Sequence, residues 1–203
     1  VILEIPVKFI NEDKTFNFEL LGNVSYLATH NLNSVIDINF HPVPETEVSN
    51  MRHRPIGLGV QGLIDVYQIM GYSFDSPEAL KLNKKIFECI YYNSLRSSID
   101  IAKEEGSYSS FEGSPFSNGL LQFHLWGKNV DDLDIDGFPS FDWNNIIEEI
   151  KIYGTRNSLL TTIMPTGSTS QIMGNYECIE PYASNILTRV TAKREFVVIN
   201  KKC

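Results

Sequence analysis

The sequence has few cysteines, and they are poorly spaced for shared chemistry. Its 203 residues include three, Cys89, Cys178 and Cys203, with no C-x-x-C pair among them. The four histidines show no metal-ligand spacing either. An odd number of widely separated cysteines argues against a disulfide framework and against a structural zinc site. It fits a protein of the reducing cytoplasm.

Clustered positive charge and long apolar runs are also missing. The formal net charge is −8, and the nearest approach to a basic cluster is Arg52, His53 and Arg54. A nucleic-acid partner would need a basic face, so we expect none. No run approaches the roughly 18 apolar residues of a membrane span, and the N-terminus lacks the features of a signal peptide. Because the chain begins at Val1 rather than Met, we expect a fragment of a longer protein.

What the sequence does contain is a series of helix patterns, in a chain that is 42% hydrophobic. Apolar residues spaced three and four apart predict helices over 18–39, 59–71, 76–105 and 143–153. The third has a complete set of end signals, with Ser76 as N-cap, Pro77 in the first turn and Gly106 after the last turn. Its two apolar ridges are typical of a helix packed on a sheet. Residues 40–55, with three prolines, and residues 107–142 are predicted loops.

Strand patterns occur in the C-terminal part of the chain. Residues 157–164 (NSLLTTIM) form an apolar, β-branched run that ends at Pro165, which predicts a strand buried on both faces. Residues 185–200 predict two strands joined near Ala192–Arg194, a C-terminal β-hairpin. Helices that alternate with buried strands indicate an α/β protein.

The stretch GLGVQG at 57–62 matches the glycine pattern of a dinucleotide-binding loop. That function would make the protein a dinucleotide-dependent oxidoreductase, and it requires a buried strand that leads into Gly57. The preceding residues are basic and include Pro55, which cannot donate within a sheet ladder. We therefore predict a loop before Gly57 and a tight structural turn at the glycines.

A second pattern, DLDIDG at 132–137, matches the opening of a calcium-binding loop. The twelfth position should then be a bidentate glutamate, and it is Trp143. Pro139 also lies inside the pattern. We predict a solvated acidic loop rather than a metal site.

A third stretch, MPTGSTSQIMG at 164–174, combines a strand end, a hydroxyl-rich turn and a helix start. The helix would open at Thr169 and stop at Gly174. The unpaired N–H groups of a helix start suit an anion, Gly167 would let a ligand approach the backbone, and Thr166, Ser168 and Thr169 add hydroxyls. Without a lysine this is not a Walker loop. Phosphate binding and an ordinary N-cap turn both remain open from the residues alone.

No nucleophile–base pair stands out elsewhere. Cys178 lies between Glu177 and Glu180, whose carboxylates would raise the thiol pKa and so lower its reactivity.

Several segments together resemble one family. NLNSVIDINFHPVPE, SNMRHRPIGLGVQGL, LNKKIFECIYYNSL, AKEEGSYSSFEGSP, YGTRNSLL and MPTGSTSQIMGNYECIEPYASNILTR follow one another in family order from about 31 to 200. In these segments the chain resembles the large (catalytic) subunit of class I ribonucleotide reductase of the eukaryotic type.

The resemblance implies a fold and a function. The fold is a ten-stranded α/β barrel with helices outside, of which 1–203 would be the C-terminal portion, without the N-terminal allosteric, ATP-binding domain. The family reduces ribonucleoside diphosphates to deoxyribonucleotides for DNA synthesis. A di-metal small subunit supplies the radical, thioredoxin or glutaredoxin supplies electrons, and the full chain forms a homodimer or higher oligomer. The fragment itself would bind no cofactor.

The resemblance also implies site residues. It places the substrate diphosphate on Thr166, Gly167, Ser168 and Thr169, and it makes the GLGVQG segment a structural turn. The catalytic cysteines would lie outside the fragment, so we assign no catalytic residue here, give Cys89 and Cys178 no redox role, and expect the fragment alone to be inactive. The alternative is a divergent, non-catalytic paralogue that acts as a regulatory or structural partner.

Overall fold

The computed structural model describes residues 2–135, 137–190 and 194–200, and it has the helices and strands of an α/β protein. The strands are β1 (Ile2–Glu4), β2 (Gly59–Gln61), β3 (Ile186–Val190) and β4 (Glu195–Ile199). The helices are α1 (Ile5–Lys8), α2 (Phe18–Ile38), α3 (Pro44–His53), α4 (Leu63–Met70), α5 (Pro77–Glu105), α6 (Gln122–Leu125), α7 (Trp143–Tyr153) and α8 (Thr169–Met173).

Two compact units divide the chain. The first unit comprises Phe18–Leu58 and Lys84–Thr162. The second unit comprises Ile2–Asn17, Gly59–Asn83 and the described residues from Ile163 onward. Each unit is described by itself below.

Helix α5 has the predicted bounds because its end signals are local. The Ala79 N–H donates to Ser76 Oγ at 3.1 Å, which satisfies one of the unpaired amides at the helix start. Gly106 follows the last turn with φ +83°, a left-handed conformation that glycine adopts without steric cost.

A buried cluster in the first unit joins α5, α7 and loop residues between them. Leu95 and Ile99 of α5 are fully buried in this cluster. The other buried members are Tyr108, Phe111, Leu121, Phe123, Trp143, Ile146, Ile150 and Leu160. The predicted loop at 107–142 supplies four of these side chains. In its described residues, regular structure is limited to α6 and two short 3-10 turns, Phe116–Asn118 and Val130–Leu133.

Helix α2 has the predicted extent, but the side that it buries is not the side that carries most of its apolar residues. Its apolar residues Leu27 and Val35 are 60% and 47% exposed. Apart from Leu21, the buried residues of the helix are small or polar: Gly22, Ser25, Thr29 and Asn33. A Cβ atom at Gly22 would lie 2.8 Å from Asn93 Nδ2, so α2 meets α5 through small side chains.

Hydrogen bonds account for the polar residues at this buried surface. The Arg54 guanidinium, 4% exposed, donates from Nε and Nη2 to Asn33 Oδ1 at 3.1 and 3.0 Å. Asn157 Nδ2 donates to the same oxygen at 3.2 Å. Arg54 also pairs with Asp37 at 2.6 Å, and its hydrogen bonds hold the pKa of that carboxyl below its usual value. A buried asparagine with partners is tolerated where an unpaired one would be costly.

The predicted loop at 40–55 is wrong, because residues 44–53 form helix α3. Pro44 occupies the first turn, where its missing N–H costs nothing, so it starts the helix instead of breaking it. Glu45 and Glu47 lie near the helix start and Arg52 and His53 near its end, which suits the helix dipole.

The predicted helix at 59–71 is correct only from Leu63 onward. Residues 59–61 form β2, which pairs in parallel with β1. Gly62, with φ +79°, turns the chain from β2 into α4. Within the described residues no strand leads into Gly57, so the predicted loop before the glycine pattern is confirmed. A dinucleotide fingerprint lacks its structural context here.

The predicted buried strand at 157–164 is also wrong. The segment is extended, with one parallel bridge between Thr161 and Leu58, but Leu159 and Ile163 are 63% and 57% exposed. Backbone hydrogen bonds do join this segment to residues 53–58, for example from the Leu58 N–H to the Leu160 carbonyl at 2.9 Å. The exposure of its side chains, rather than a missing neighbour, is what contradicts a strand buried on both faces.

The remaining predicted elements are confirmed. Helix α7 runs from Trp143 to Tyr153, and its N-cap Asp142 accepts the Asn145 N–H at 3.0 Å. Strands β3 and β4 pair antiparallel, with Ile186 opposite Ile199. The junction predicted at Ala192–Arg194 lies mostly outside the described residues.

Candidate functional site

The hydroxyl-rich turn at 166–169 leads into a short helix, as predicted. Helix α8 starts at Thr169, and Gly174, with φ +76°, ends it. Ser168 is the N-cap residue, but its side chain makes no capping hydrogen bond and is exposed. Within the described residues, the backbone N–H groups of Gly167, Ser168 and Thr169 donate to no backbone acceptor. Exposed amides at a helix start are suited to an anion.

The structure separates the hydroxyls that the sequence grouped together. Thr166 is 2% exposed, and its Oγ1 accepts the Cys178 N–H at 2.7 Å, so this hydroxyl anchors the turn from inside. Thr169 Oγ1 donates to Gln61 Oε1 at 2.9 Å. The Ser168 side chain, in contrast, is exposed and makes no capping hydrogen bond. The turn therefore presents one uncommitted hydroxyl together with the backbone amides.

Gly167 has a different setting from the predicted one. Its φ is not in the left-handed region, and a Cβ atom there would have Glu177 Oε2 as its nearest neighbour, at 3.7 Å. A Cβ atom at this position would make only ordinary van der Waals contacts with the protein. The same distance shows that a carboxylate lies beside the turn, where it would oppose an anion. Arg189 compensates this charge, with Nη1 2.9 Å from Glu177 Oε1.

The chain around α8 is held by residues near the start of α4, which were not predicted as site residues. They are Gln61 at the end of β2, Gly62, and Asp65 in the first turn of α4. We call these three residues the docking turn. The Gly62 N–H donates to the Tyr176 carbonyl at 3.0 Å. The fully buried Asp65 carboxyl accepts the Tyr176 N–H at 2.6 Å. With the Gln61 bond to Thr169, these contacts hold the chain on both sides of α8. The structural turn predicted at GLGVQG gave the available signal, but the sequence does not show which segment that turn contacts.

Both described cysteines have thiols of low reactivity. Burial, and after it the nearby Glu180 carboxylate, raises the pKa of Cys178, although the Ile179 N–H acts in the opposite direction. Burial raises the pKa of Cys89 to about 12, and its thiol donates to the Phe18 carbonyl at 3.3 Å. The thiolate is the reactive form, so neither environment favours redox or nucleophilic chemistry.

We expect Cys89 to resist alkylation in the folded protein. With a pKa of about 12, its thiolate fraction at pH 8 is on the order of 1 in 10,000. Iodoacetamide at pH 8 should leave the Cys89 peptide unmodified, as read by mass spectrometry, while the same treatment in urea should alkylate it. Equal labelling in both conditions would contradict the burial described for this side chain.

The described residues contain neither a cluster of metal-ligand side chains nor a membrane-spanning helix. No group of three or more His, Cys, Asp or Glu side chains there could hold a metal ion. No described helix is long and apolar enough to cross a membrane. In the DLDIDG stretch, Asp136 lies outside the described residues.

The α/β elements agree with what sequence comparison finds. Residues 4–203 match the family model described as ribonucleotide reductase, barrel domain. The chain therefore belongs to the ribonucleotide reductase family, and it lies within the barrel domain of that family.

Individual relatives give the same result. Over 195 residues the chain is 51% identical to the ribonucleoside-diphosphate reductase large subunit of Acanthamoeba polyphaga mimivirus, covering 96% of the chain and 22% of that protein. It is 48% identical over 193 residues to the large subunit of Caenorhabditis elegans, covering 95% of the chain and 24% of that protein. It is 49% identical over 192 residues to the large chain of Schizosaccharomyces pombe, with 95% and 23% covered. The chain thus spans about a quarter of the length of these relatives.

Proposed function

We propose that this chain is part of the large subunit of a ribonucleoside-diphosphate reductase and carries the loop that holds the substrate diphosphate. The whole protein would reduce ribonucleoside diphosphates to deoxyribonucleoside diphosphates with a radical received from a di-metal small subunit. The observation that carries the proposal is the turn at 166–169. Its amides at 167–169 donate to no backbone acceptor among the described residues, its Ser168 side chain is exposed, and Thr166 anchors it to Cys178.

Each residue of the turn has a distinct part in this proposal. The amides of Gly167, Ser168 and Thr169 would donate to the diphosphate oxygens, and the Ser168 hydroxyl would add a further donor. Thr166 would contribute indirectly, because its hydroxyl keeps the turn attached to Cys178. The turn has no cation of its own, so neutral donors would bind the diphosphate, and Arg189 would offset the Glu177 carboxylate beside them.

We also propose that the chain forms part of the α/β barrel of its family. The second unit pairs β1 and β2 in parallel, and the first unit contains the parallel bridge between Leu58 and Thr161. Parallel pairing with helical crossovers is what an α/β barrel requires. We infer that the parallel β1–β2 pair and the segments joined by the Leu58–Thr161 bridge are parts of a barrel completed by other residues of the parent protein, with β3 and β4 as a separate C-terminal hairpin. Thioredoxin or glutaredoxin as reductant, and a dimeric parent chain, follow from the same family membership.

Replacing Ser168 with alanine in the full-length subunit should weaken ribonucleoside diphosphate binding by about 1 kcal/mol or more, roughly fivefold in Kd, because one donor to a charged oxygen is lost. Calorimetric titration with CDP would measure it. Ser73→Ala, at an exposed serine outside the turn, is the matched control and should leave Kd unchanged.

An unchanged Kd for Ser168→Ala would remove the diphosphate assignment. The same titration bears on the non-catalytic alternative. A parent protein that binds CDP through this loop, yet forms no deoxyribonucleotide when small subunit and reductant are supplied, would be the divergent paralogue.

A further inference from the structure

The hydrogen bond between Gln61 and Thr169 has a consequence for an anion at the turn. Thr169 Oγ1 donates to Gln61 Oε1 at 2.9 Å, and the Gln61 side chain is buried, with 2% exposed. A hydroxyl has a single proton, so Thr169 cannot donate to Gln61 and to a ligand oxygen at the same time. In the described arrangement, Thr169 therefore contributes no side-chain donor to the diphosphate.

We propose that Gln61 is a positioning residue that sets the direction of the Thr169 hydroxyl by rotation of its side-chain amide. Without ligand, Oε1 accepts the Thr169 proton. With a diphosphate bound, a half-turn of the amide places Nε2 against Oγ1 as a donor, and the Thr169 proton then points to a phosphate oxygen. This inference rests on the proposed function of the turn.

The chemistry of the amide suits this role. Glutamine carries an acceptor and a donor at nearly the same position, so the rotation exchanges one for the other with little movement of heavy atoms. A glutamate could only accept in its ionised form, and a lysine could only donate. The amide also adds no charge beside Glu177, whose carboxylate already lies close to Gly167.

The surrounding contacts leave this amide–hydroxyl pair as the adjustable part of the turn. Thr166 Oγ1 is held by the Cys178 N–H, and the Gly62 N–H is held by the Tyr176 carbonyl. The Gln171 side-chain amide donates to the Gly167 carbonyl. These bonds fix the backbone on both sides of Thr169, so a ligand could be met by side-chain reorientation alone.

A double-mutant cycle in the full-length subunit tests the coupling, with CDP as the probe and Kd as the readout. Gln61→Met and Thr169→Val nearly preserve shape and remove one partner each. Each should weaken CDP binding by about 5- to 10-fold, the loss expected for one hydrogen bond of ordinary net strength. The double variant should bind no more weakly than Thr169→Val alone, because Gln61 acts only through that hydroxyl.

Two further variants keep the test decisive. Thr169→Ser retains the hydroxyl and should stay within about twofold of the wild-type Kd, whereas Gln61→Glu, which can only accept when ionised, should weaken binding at least as much as Gln61→Met. Melting temperatures of all variants separate loss of folding from loss of binding.

Different results would contradict the role of Gln61 and the proposed diphosphate loop. Multiplicative losses in the double variant, or a Gln61→Met variant with wild-type affinity beside a weakened Thr169→Val, would overturn the role of Gln61 alone. Wild-type affinity for Ser168→Ala would overturn the proposed diphosphate loop itself, whatever the affinities of the Gln61 and Thr169 variants.

Discussion

Replacing Trp143 with alanine is expected to lower the free energy of unfolding by about 3–5 kcal/mol, the usual cost of truncating a buried tryptophan. The side chain is 2% exposed in the core of the first unit. Its ring packs edge-on against Tyr92 and Phe123, with centroids 5.1 Å away in both cases. The indole N–H also donates to Glu88 Oε1 at 3.0 Å. Alanine would leave a cavity and remove a partner of Glu88.

Hydrogen exchange in the intact protein can measure this effect, because amides of α5 and α7 report the local free energy of opening. The matched control is Trp126→Ala, since Trp126 is 71% exposed and its loss should change stability by less than about 0.5 kcal/mol. Equal protection of α7 in the Trp143→Ala variant and the wild type would contradict the packing described for this core.

Helix ends could be predicted from the sequence where the signals are local. Ser76, Gly106 and Asp142 each act on amides or dihedrals within a few residues, so the bounds of α5 and α7 follow from the residues beside them. Gly174 likewise ends α8 where the sequence predicts. Backbone chemistry at a helix end depends little on the rest of the fold.

Buried faces were harder to predict, because they depend on neighbours distant in sequence. The apolar spacing of α2 predicts the helix, yet Leu27 and Val35 are exposed and the helix buries Ser25, Thr29 and Asn33. The reason is the partner surface, where Arg54 and Asn157 offer hydrogen bonds to Asn33. Hydrophobic periodicity identifies the helix but carries no information about polar partners elsewhere in the chain.

Proline was misleading in one place. Three prolines led to the prediction of a loop at 40–55, and Pro44 instead starts α3. Proline can stop a helix or begin one. The order of acidic and basic residues over 44–53 favours a helix that begins at Pro44. Glutamates in the first turn and basic residues in the last were the available signal for α3.

At the candidate site, the backbone could be predicted and the side-chain directions could not. A turn followed by a helix at Thr169 follows from local residue preferences. The destinations of the hydroxyls depend on Cys178 and Gln61, which lie 12 positions after Thr166 and 108 positions before Thr169. Long-range partners of this kind become visible only when the chain is folded.

The docking turn leads to the second large effect, because Asp65 holds the chain that follows α8. Asp65 is fully buried in the first turn of α4. It accepts the Tyr176 N–H at 2.6 Å and the Tyr182 O–H at 2.8 Å. Asp65→Ala would remove the acceptor shared by the Tyr176 N–H and the Tyr182 O–H, so we expect a loss of about 2 kcal/mol or more in the free energy of unfolding.

Thermal unfolding and hydrogen exchange of residues 176–182 in the full-length subunit would measure the Asp65 effect, and CDP titration would show its functional cost. CDP affinity should fall with stability, because the turn at 166–169 loses its support on the side that follows α8. Asp65→Asn keeps one carbonyl acceptor and should give a smaller loss, while Asp75→Ala, at an exposed aspartate, should change neither quantity. Wild-type exchange at 176–182 in Asp65→Ala would mean that other contacts hold this segment, and Gln61 would then be the main support of the loop.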